Sequence, residues 1–312
     1  MNVKTWLMWT VGIGILGVLF YSIGLSEITN VLKQSSGWVI VLIIGVYVIN
    51  VVLASYNLKI MVSPYRKIGW KNACEYYTAT WIVSLFVPSK LGELSLIFFL
   101  KTLGVNLNQR TAIVTLDRGI SFLIVVACAI AGAVFMNLEK YILPIVMVIA
   151  ICGGGMLLIS WKPFRKMVMH ITKKIVPADI EEIYATAIFF IKQRPYLLLM
   201  NMLVTILIFL ISFIALKLQY IDLGIHVPLA AIAMMSSIVR IVSLIPVTLS
   251  GLGIREISAV YLFSLIGVPA EATFAVYLVR LIVSYGLAVL WTVGKHKSLF
   301  RIILRKSQQE IT

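Results

Sequence analysis

Acidic residues, cysteines and histidines are all scarce in this chain. Its 312 residues include 12 Asp and Glu against 27 Lys and Arg, with three cysteines and three histidines. The cysteines have no CxxC spacing and the histidines are scattered, so the sequence supports neither a disulfide framework nor a metal site. It also contains no GxSxG, HExxH or P-loop motif, and we expect no cofactor.

Apolar residues, in contrast, dominate the composition. They make up 61% of the chain, and the mean hydropathy is +1.02. A soluble core of this size could not bury so much apolar surface, which indicates an integral membrane protein. The net charge of +15 then indicates cytoplasmic loops and contact with anionic lipid rather than nucleic acid.

Two stretches of the sequence are alike: IVSLFVPSKLGE at 82–93 and IVSLIPVTLSGLGIRE at 241–256. Each has an apolar run, a proline, and a short polar turn that ends at a glycine and a glutamate. An arginine follows each stretch inside the next apolar run, at Arg118 and Arg280. One unit is therefore used twice, at an offset of roughly 160 residues.

Long apolar runs predict about six full membrane spans, each of roughly 20 residues. The predicted spans are 6–25, 38–58, 111–136, 141–161, 195–216 and 272–294. Two pairs of shorter runs are interrupted at Pro88 and Pro246, and each run is too short to cross. These pairs are 73–87 with 91–103 and 229–245 with 252–266. We interpret each pair as a re-entrant helical hairpin, which is tolerated where protein or a wet cavity surrounds its tip.

The distribution of basic residues predicts the orientation. The loop 59–71 carries four basic residues and no acid, so the positive-inside rule places it and both termini in the cytoplasm. The two units, about 73–136 and 228–294, then run in opposite directions as an inverted repeat, with a site between them.

The predicted fold is thus an all-α polytopic protein of the cell membrane, with a single transmembrane domain. That domain covers 1–294, with an amphipathic cytoplasmic connector at 162–194 and a basic cytoplasmic tail at 295–312. Two other topologies stay open. Every short run could cross, giving up to about ten spans, or each hairpin could be one kinked span.

Charged residues inside the apolar runs are the candidate functional residues, because each costs roughly 2.5 to 3.5 kcal/mol in a bilayer. The cations are Lys90, Arg118, Arg240, Arg255 and Arg280, and the carboxylates are Glu93, Asp117 and Glu256. Glycine turns at Gly92, Gly251 and Gly253 begin the second helix of each pair, so we expect free N–H groups there. Together these groups predict a site for a lipid phosphate near the bilayer midplane.

The carboxylates have a simpler structural interpretation. They would pair with the arginines and hold the broken helices together. Charge pairing alone, however, needs neither a repeated glycine turn nor an excess of arginine, so a substrate role is favoured for the cluster as a whole. The same carboxylates could couple transport to protons.

These residues resemble the lysylphosphatidylglycerol synthase transmembrane region family, the flippase-like membrane domain found in the bacterial multiple peptide resistance factor. The matching motifs are Pro88 with Gly92-Glu93, the pair Asp117-Arg118, and Pro-x-x-x-x-Gly-x-Gly-x-Arg-Glu from Pro246 to Glu256. The resemblance covers nearly the whole chain. It implies movement or presentation of anionic or aminoacylated phospholipids, or of lipid-linked sugars, between leaflets.

The sequence departs from the family pattern at two positions. Leu96 stands where the family often has an arginine, and Ser121 where it often has an aspartate. The aminoacyltransferase domain of the resistance factor is not expected here, since the sequence stops shortly after the last span. The resemblance therefore favours a transporter over an enzyme.

Two other functions remain open: a membrane-embedded transferase, and an accessory subunit for a separate lipid-modifying synthase. The expected partners are membrane phospholipids. Such a synthase and a second copy of the chain are further candidates, and we expect no binding to nucleic acid.

Overall fold

The computed structural model describes residues 3–87, 91–136, 179–245, 248 and 250–294. These residues form helices and connecting turns, and no β-strand occurs among them. The helices are α1 (Val3–Ile23), α2 (Leu25–Gln34), α3 (Trp38–Val62), α4 (Trp70–Phe86), α5 (Ser95–Lys101, preceded by a 3₁₀ turn over Leu91–Leu94), α6 (Leu107–Phe135), α7 (Ile180–Gln193), α8 (Pro195–Asp222), α9 (Leu229–Val242), α10 (Ile254–Ser264) and α11 (Ala270–Gly294).

Four helices, α3, α6, α8 and α11, are long and apolar enough to cross a bilayer. A fifth candidate span combines α1 with α2, which are bent by 86° at Gly24. The predicted helical membrane protein is confirmed. The predicted span at 141–161, the connector up to residue 178 and the tail at 295–312 lie outside the described residues.

Helices α3 and α8 pack antiparallel along their whole length. Polar side chains join them at three levels: the Ser36 N–H donates to Asp222 (2.8 Å), the Asn50 amide to Ser212 (3.2 Å), and the Asn57 amide to Thr205 (3.0 Å). In these contacts the residue numbers of α8 decrease as those of α3 increase. The first and last contacts therefore mark the two ends of the bundle. We call them the Asp222 end and the Lys59 end.

The first broken helix pair opens at the Lys59 end. The Lys59 ammonium lies 5.3 Å from the ring centre of Trp70, the first residue of α4. Further along α4, the ring of Trp81 lies 5.6 Å from that of Tyr47 in the middle of α3. Helix α4 therefore runs from the Lys59 end to the middle of the bundle.

Helix α4 stops where the sequence requires it to stop. The residue before a proline is pushed to extended backbone, and Val87, which precedes Pro88, has φ −112° and ψ 140°. Helix α5 then returns alongside α4, because Tyr76 shares a hydrogen bond of 2.9 Å with Thr102 just after α5. The pair thus folds back toward the end from which it came.

The second broken pair opens at the Asp222 end. Helix α9 begins a few residues after α8 and runs inward, where the Arg240 guanidinium lies 4.9 Å from the ring centre of Phe209 in mid-α8. Helix α10 returns, and near its end Phe263 packs on Tyr220 at 5.3 Å. This pair also ends at the level where it began.

The two breaks meet inside the bundle. The Ser250 N–H donates to the Val87 carbonyl at 3.3 Å, which joins the second break to the first. Beside them, the Tyr285 hydroxyl of α11 donates to the Leu85 carbonyl at 3.0 Å. The ends of two half-length helices therefore lie together in the middle of the bundle.

Candidate functional site

A cavity of about 310 Å³ lies where the breaks meet. The helices contribute to it from their middles: α3 from Ile43 to Val51, α8 from Ile208 to Leu216, and α11 from Tyr277 to Ser284. The ends of α4 and α9 complete the wall. The charged residues in the described part of its lining are Glu93, Arg240, Arg255 and Arg280. Three arginines and one carboxylate give this lining a formal charge of +2.

Arg280 faces the cavity from the middle of α11. Its guanidinium donates to the Ser212 carbonyl at 3.4 Å, and its own carbonyl accepts from the Tyr47 hydroxyl at 3.4 Å. Within the described ranges no carboxylate lies within 4.0 Å of it. One weak carbonyl contact leaves most of its five N–H donors available to a ligand.

Arg240 reaches the same cavity from the last turn of α9. It lies over the Phe209 ring, a cation–π contact that helps a cation tolerate an apolar surrounding. No carboxylate in the described part of the chain lies within 4.0 Å of this arginine either. Among the described residues, Arg240 and Arg280 are therefore the two cavity arginines without an acidic partner.

The third cavity arginine, Arg255, is paired. Its Nη2 and Nε atoms lie 2.7 and 3.0 Å from Oε1 of Glu256, which is fully buried. The other Glu256 oxygen accepts the Gly253 N–H at 2.8 Å. That N–H at the start of α10 is therefore not one of the free donors that the sequence predicted there. Glu256 therefore both caps α10 and neutralises Arg255.

Arg118 does not line the main cavity but pairs with Glu93, which does. Its guanidinium contacts Glu93 at 2.5 Å and Asp117 at 2.7 Å, and Asp117 also accepts from the Asn201 amide at 2.8 Å. Arg118 and Asp117 line a smaller adjoining pocket, whereas Glu93 lines the main cavity. At Arg118, carboxylates pair with an arginine as the simpler structural interpretation of the sequence expects. This pairing connects α6 to the turn after α4.

The predicted glycines have different structural roles. Gly92 packs against the backbone of Ser84, so that an added Cβ would overlap it. Gly251 and Gly253 have φ of 76° and 79°, a left-handed backbone that glycine adopts without strain. Between the breaks, Ser250 takes φ 51°, the one positive φ of a non-glycine residue in the described chain. The second turn is thus strained where it contacts the first.

Four of the six serines in the described lining of the cavity have no donor capacity left. Ser84, Ser212, Ser243 and Ser284 all line the cavity, and each donates its one proton to a carbonyl of its own helix, at 2.6 to 2.8 Å. Their oxygens can still accept hydrogen bonds. The strong donors for an anion are therefore the guanidinium groups.

Sequence reasoning missed the uncharged part of the lining. Tyr47 and Asn50 of α3, with Tyr77 and Trp81 of α4, line the cavity. A signal was present, because polar-aromatic side chains three or four residues apart share one helix face, and an apolar span has no other need for them. Ser212 also lines the cavity, but a single serine in an apolar helix does not indicate a site.

The structure brings most of the predicted site residues to one region. Glu93, Arg240, Arg255 and Arg280 surround the main cavity, and Asp117, Arg118 and Glu256 form ion pairs beside it. Lys90 lies outside the described residues. A ligand role for any of these side chains remains a prediction.

The chain was compared with known proteins in three ways. The family model described as the lysylphosphatidylglycerol synthase TM region matches residues 6–292. No curated protein and no solved structure matches the chain significantly. Because the family model covers almost all of the bundle and the cavity within it, the resemblance noted in the sequence is confirmed, and the chain belongs to the lysylphosphatidylglycerol synthase transmembrane region family.

Proposed function

We propose that this protein carries the head group of an anionic or aminoacylated phospholipid, or of a lipid-linked sugar, between the two leaflets of the cell membrane. The observation that carries the proposal is the cavity in the middle of the bundle, with two arginines that have no acidic partner among the described residues. A bound phosphate would supply the missing counter-charge.

The depth of the cavity supports this proposal. Asn50 and Ser212, which join α3 to α8 at the cavity, lie about 18 Å and 15 Å of helix from Trp38 and Asp222 at the nearer helix ends. A head group held at that level would be shielded from both aqueous sides, while its acyl chains remained in the hydrocarbon.

We further propose that the two broken pairs are re-entrant hairpins related by an inverted repeat. The first returns to the Lys59 end and the second to the Asp222 end, and their tips join through Ser250 and Val87. Inverted repeats with broken helices place transport sites at the midplane, since rocking one unit against the other exposes the site to each side in turn.

The proposed orientation places the Lys59 end in the cytoplasm, with both termini. That end carries the basic loop of residues 59–71, whereas Asp222 and Glu27 lie toward the other end. In this orientation the Arg118–Glu93 ion pair lies between the cavity and the cytoplasm. Glu93 would then have to release Arg118 for a head group to pass, and proton uptake by Glu93 is one way to drive that release.

Reconstitution tests the proposal directly. The purified protein would be placed in vesicles with a head-group-labelled phospholipid, and the labelled lipid accessible from outside would be followed with time. We expect Arg240→Gln with Arg280→Gln to slow translocation at least about 100-fold, because the site loses both unpaired donors. Lys33→Gln, a change at an exposed position, serves as the matched control. Equal rates for the double variant and the control would refute the proposal.

A further inference from the structure

The charge of the main cavity narrows the kind of head group it suits. Two of its four charged lining residues have partners outside the lining: Arg255 pairs with Glu256, and Glu93 pairs with Arg118. Arg240 and Arg280 remain as guanidinium groups with no carboxylate within 4.0 Å in the described part of the chain. These two guanidinium groups bring two positive charges to the described part of the lining, and the cluster of Arg118, Glu93 and Asp117 beside it carries one net negative charge.

These two charges also act on each other. Arg240 and Arg280 line the same cavity, so their like charges repel each other. In the interior of a membrane protein such repulsion is only weakly screened. A ligand with a single negative charge would compensate one arginine and leave the other.

The neutral lining adds no charge to the cavity. Four of the six serines in the described lining already donate to their own helices, and the Tyr47 hydroxyl donates to the Arg280 carbonyl. The guanidinium N–H groups are therefore the charged donors for phosphate oxygens, which they bind two at a time. A cavity of about 310 Å³ is at the lower limit of common ligand pockets, so it holds a phosphate-sized head group and not a whole lipid.

We propose that the cavity selects a lipid whose phosphate carries at least two negative charges, a phosphomonoester or a diphosphate, over a lipid with a singly charged phosphodiester. This inference rests on the proposed function and adds the charge class of its head group.

Short-chain lipids test the selection, because they bind without a bilayer. The probes are dihexanoyl phosphatidate, geranyl diphosphate and dihexanoyl phosphatidylglycerol, titrated into purified detergent-solubilised protein by calorimetry. At pH 8 phosphatidate carries about two negative charges and geranyl diphosphate about three, and we expect both to bind at least about tenfold more tightly than phosphatidylglycerol. The second pKa of a phosphomonoester is about 6, so at pH 5 the preference for phosphatidate should largely disappear. The diphosphate keeps two charges at that pH, and its preference should persist.

Single variants connect the preference to the two arginines. Arg240→Gln and Arg280→Gln should each reduce the ratio of phosphatidate to phosphatidylglycerol affinity to less than about threefold, because one unpaired charge then remains. Lys33→Gln should leave the ratio unchanged. Circular dichroism and melting curves of each variant would establish that it is folded.

The outcomes separate this inference from the proposed function. If all three probes bind equally at pH 8 and binding weakens in both arginine variants, the inference is overturned and the head-group site stands. If no probe binds and translocation is unaffected by the double variant, both are overturned. A preference at pH 8 that Arg280→Gln does not reduce also overturns the inference, since the selection then arises elsewhere.

Discussion

Two arginines occupy corresponding places after the two broken helix pairs, and their surroundings differ. Arg118 is preceded by Asp117 and contacts Glu93, so it has two carboxylate partners, and the three groups together carry one negative charge. Arg280 is preceded by Val279, and Glu256, the counterpart of Glu93, is turned toward Arg255. Similar stretches of sequence are therefore followed by an arginine in an ion-pair cluster in one half and by an arginine that faces the cavity in the other.

This difference shows how one motif serves two purposes. In an interior of low dielectric constant, a charge is tolerated when a partner is fixed beside it. The first half supplies that partner from its own chain, which joins α4, the turn at residue 93 and α6. In the second half, the proposed ligand would supply the compensation. The comparison predicts that equivalent substitutions in the two halves will have unlike effects.

The largest expected effect is on stability, at Arg118. Arg118→Gln should lower the free energy of unfolding by about 3 kcal/mol, because Glu93 and Asp117 lose their shared cation. Arg280→Gln should change it by less than about 1 kcal/mol, since no acidic partner is left behind. Unfolding in mixed micelles, followed by circular dichroism, measures both values.

A second substitution checks the cause at Arg118. Glu93→Gln added to Arg118→Gln should recover part of the loss, as a double-mutant cycle would reveal. An equal loss of stability in the Arg118 and Arg280 variants would remove the contrast between the halves.

The next effect concerns the close packing of the first break. Gly92→Ala should lower the free energy of unfolding by about 2 kcal/mol, since the new methyl group overlaps the backbone of Ser84. Gly14→Ala is the matched control, because an added Cβ there meets nothing within 4 Å and removes a flexible residue from a helix. The same unfolding measurement applies, and a neutral Gly92→Ala would contradict the packing described here.

A smaller effect is expected from making the second half resemble the first. Val279→Asp places a carboxylate before Arg280, as Asp117 stands before Arg118. The affinity for dihexanoyl phosphatidate should fall about tenfold, because the arginine gains an internal partner that competes with the ligand. Val279→Asn has nearly the same shape without the charge and should retain the affinity. Calorimetric titration of both variants decides the matter, and equal affinities would disprove the competition.

The smallest effect is expected at Tyr47. Its hydroxyl donates to the Arg280 carbonyl at 3.4 Å, the long end of the hydrogen-bond range. Tyr47→Phe should reduce phosphatidate affinity about twofold by loosening α11 against α3. Tyr21→Phe, at a side chain that is 91% exposed, should have no effect in the same titration. A loss of tenfold or more would mean that Tyr47 contacts the ligand itself.

Local features of the sequence predicted the helices well. Spans at 38–58, 111–136, 195–216 and 272–294 correspond to α3, α6, α8 and α11, because a long apolar run has few alternatives to a helix in lipid. The stop before Pro88 was predictable for a similarly local reason. The inverted repeat, the span count and the membrane orientation stay predictions.

The candidate site was predictable only in part. Charges in apolar runs identified the arginines and carboxylates, since their insertion cost makes them rare without a role. Their pairing was not predictable, because Arg118 meets Glu93 across 25 positions and Arg280 meets Ser212 across 68. The uncharged residues Tyr47 and Asn50 became site candidates only through the cavity that they share.

The sequence by itself determined that this chain is helical, enters a bilayer and carries two similar proline-interrupted stretches with arginines after them. These properties follow from the composition and order of neighbouring residues, which fix transfer energies and backbone preferences locally. Only the tertiary structure decided which arginine is neutralised and which faces the cavity. That outcome depends on distances between side chains far apart in the chain, and a buried charge is compensated only by a group that packing brings within a few ångströms.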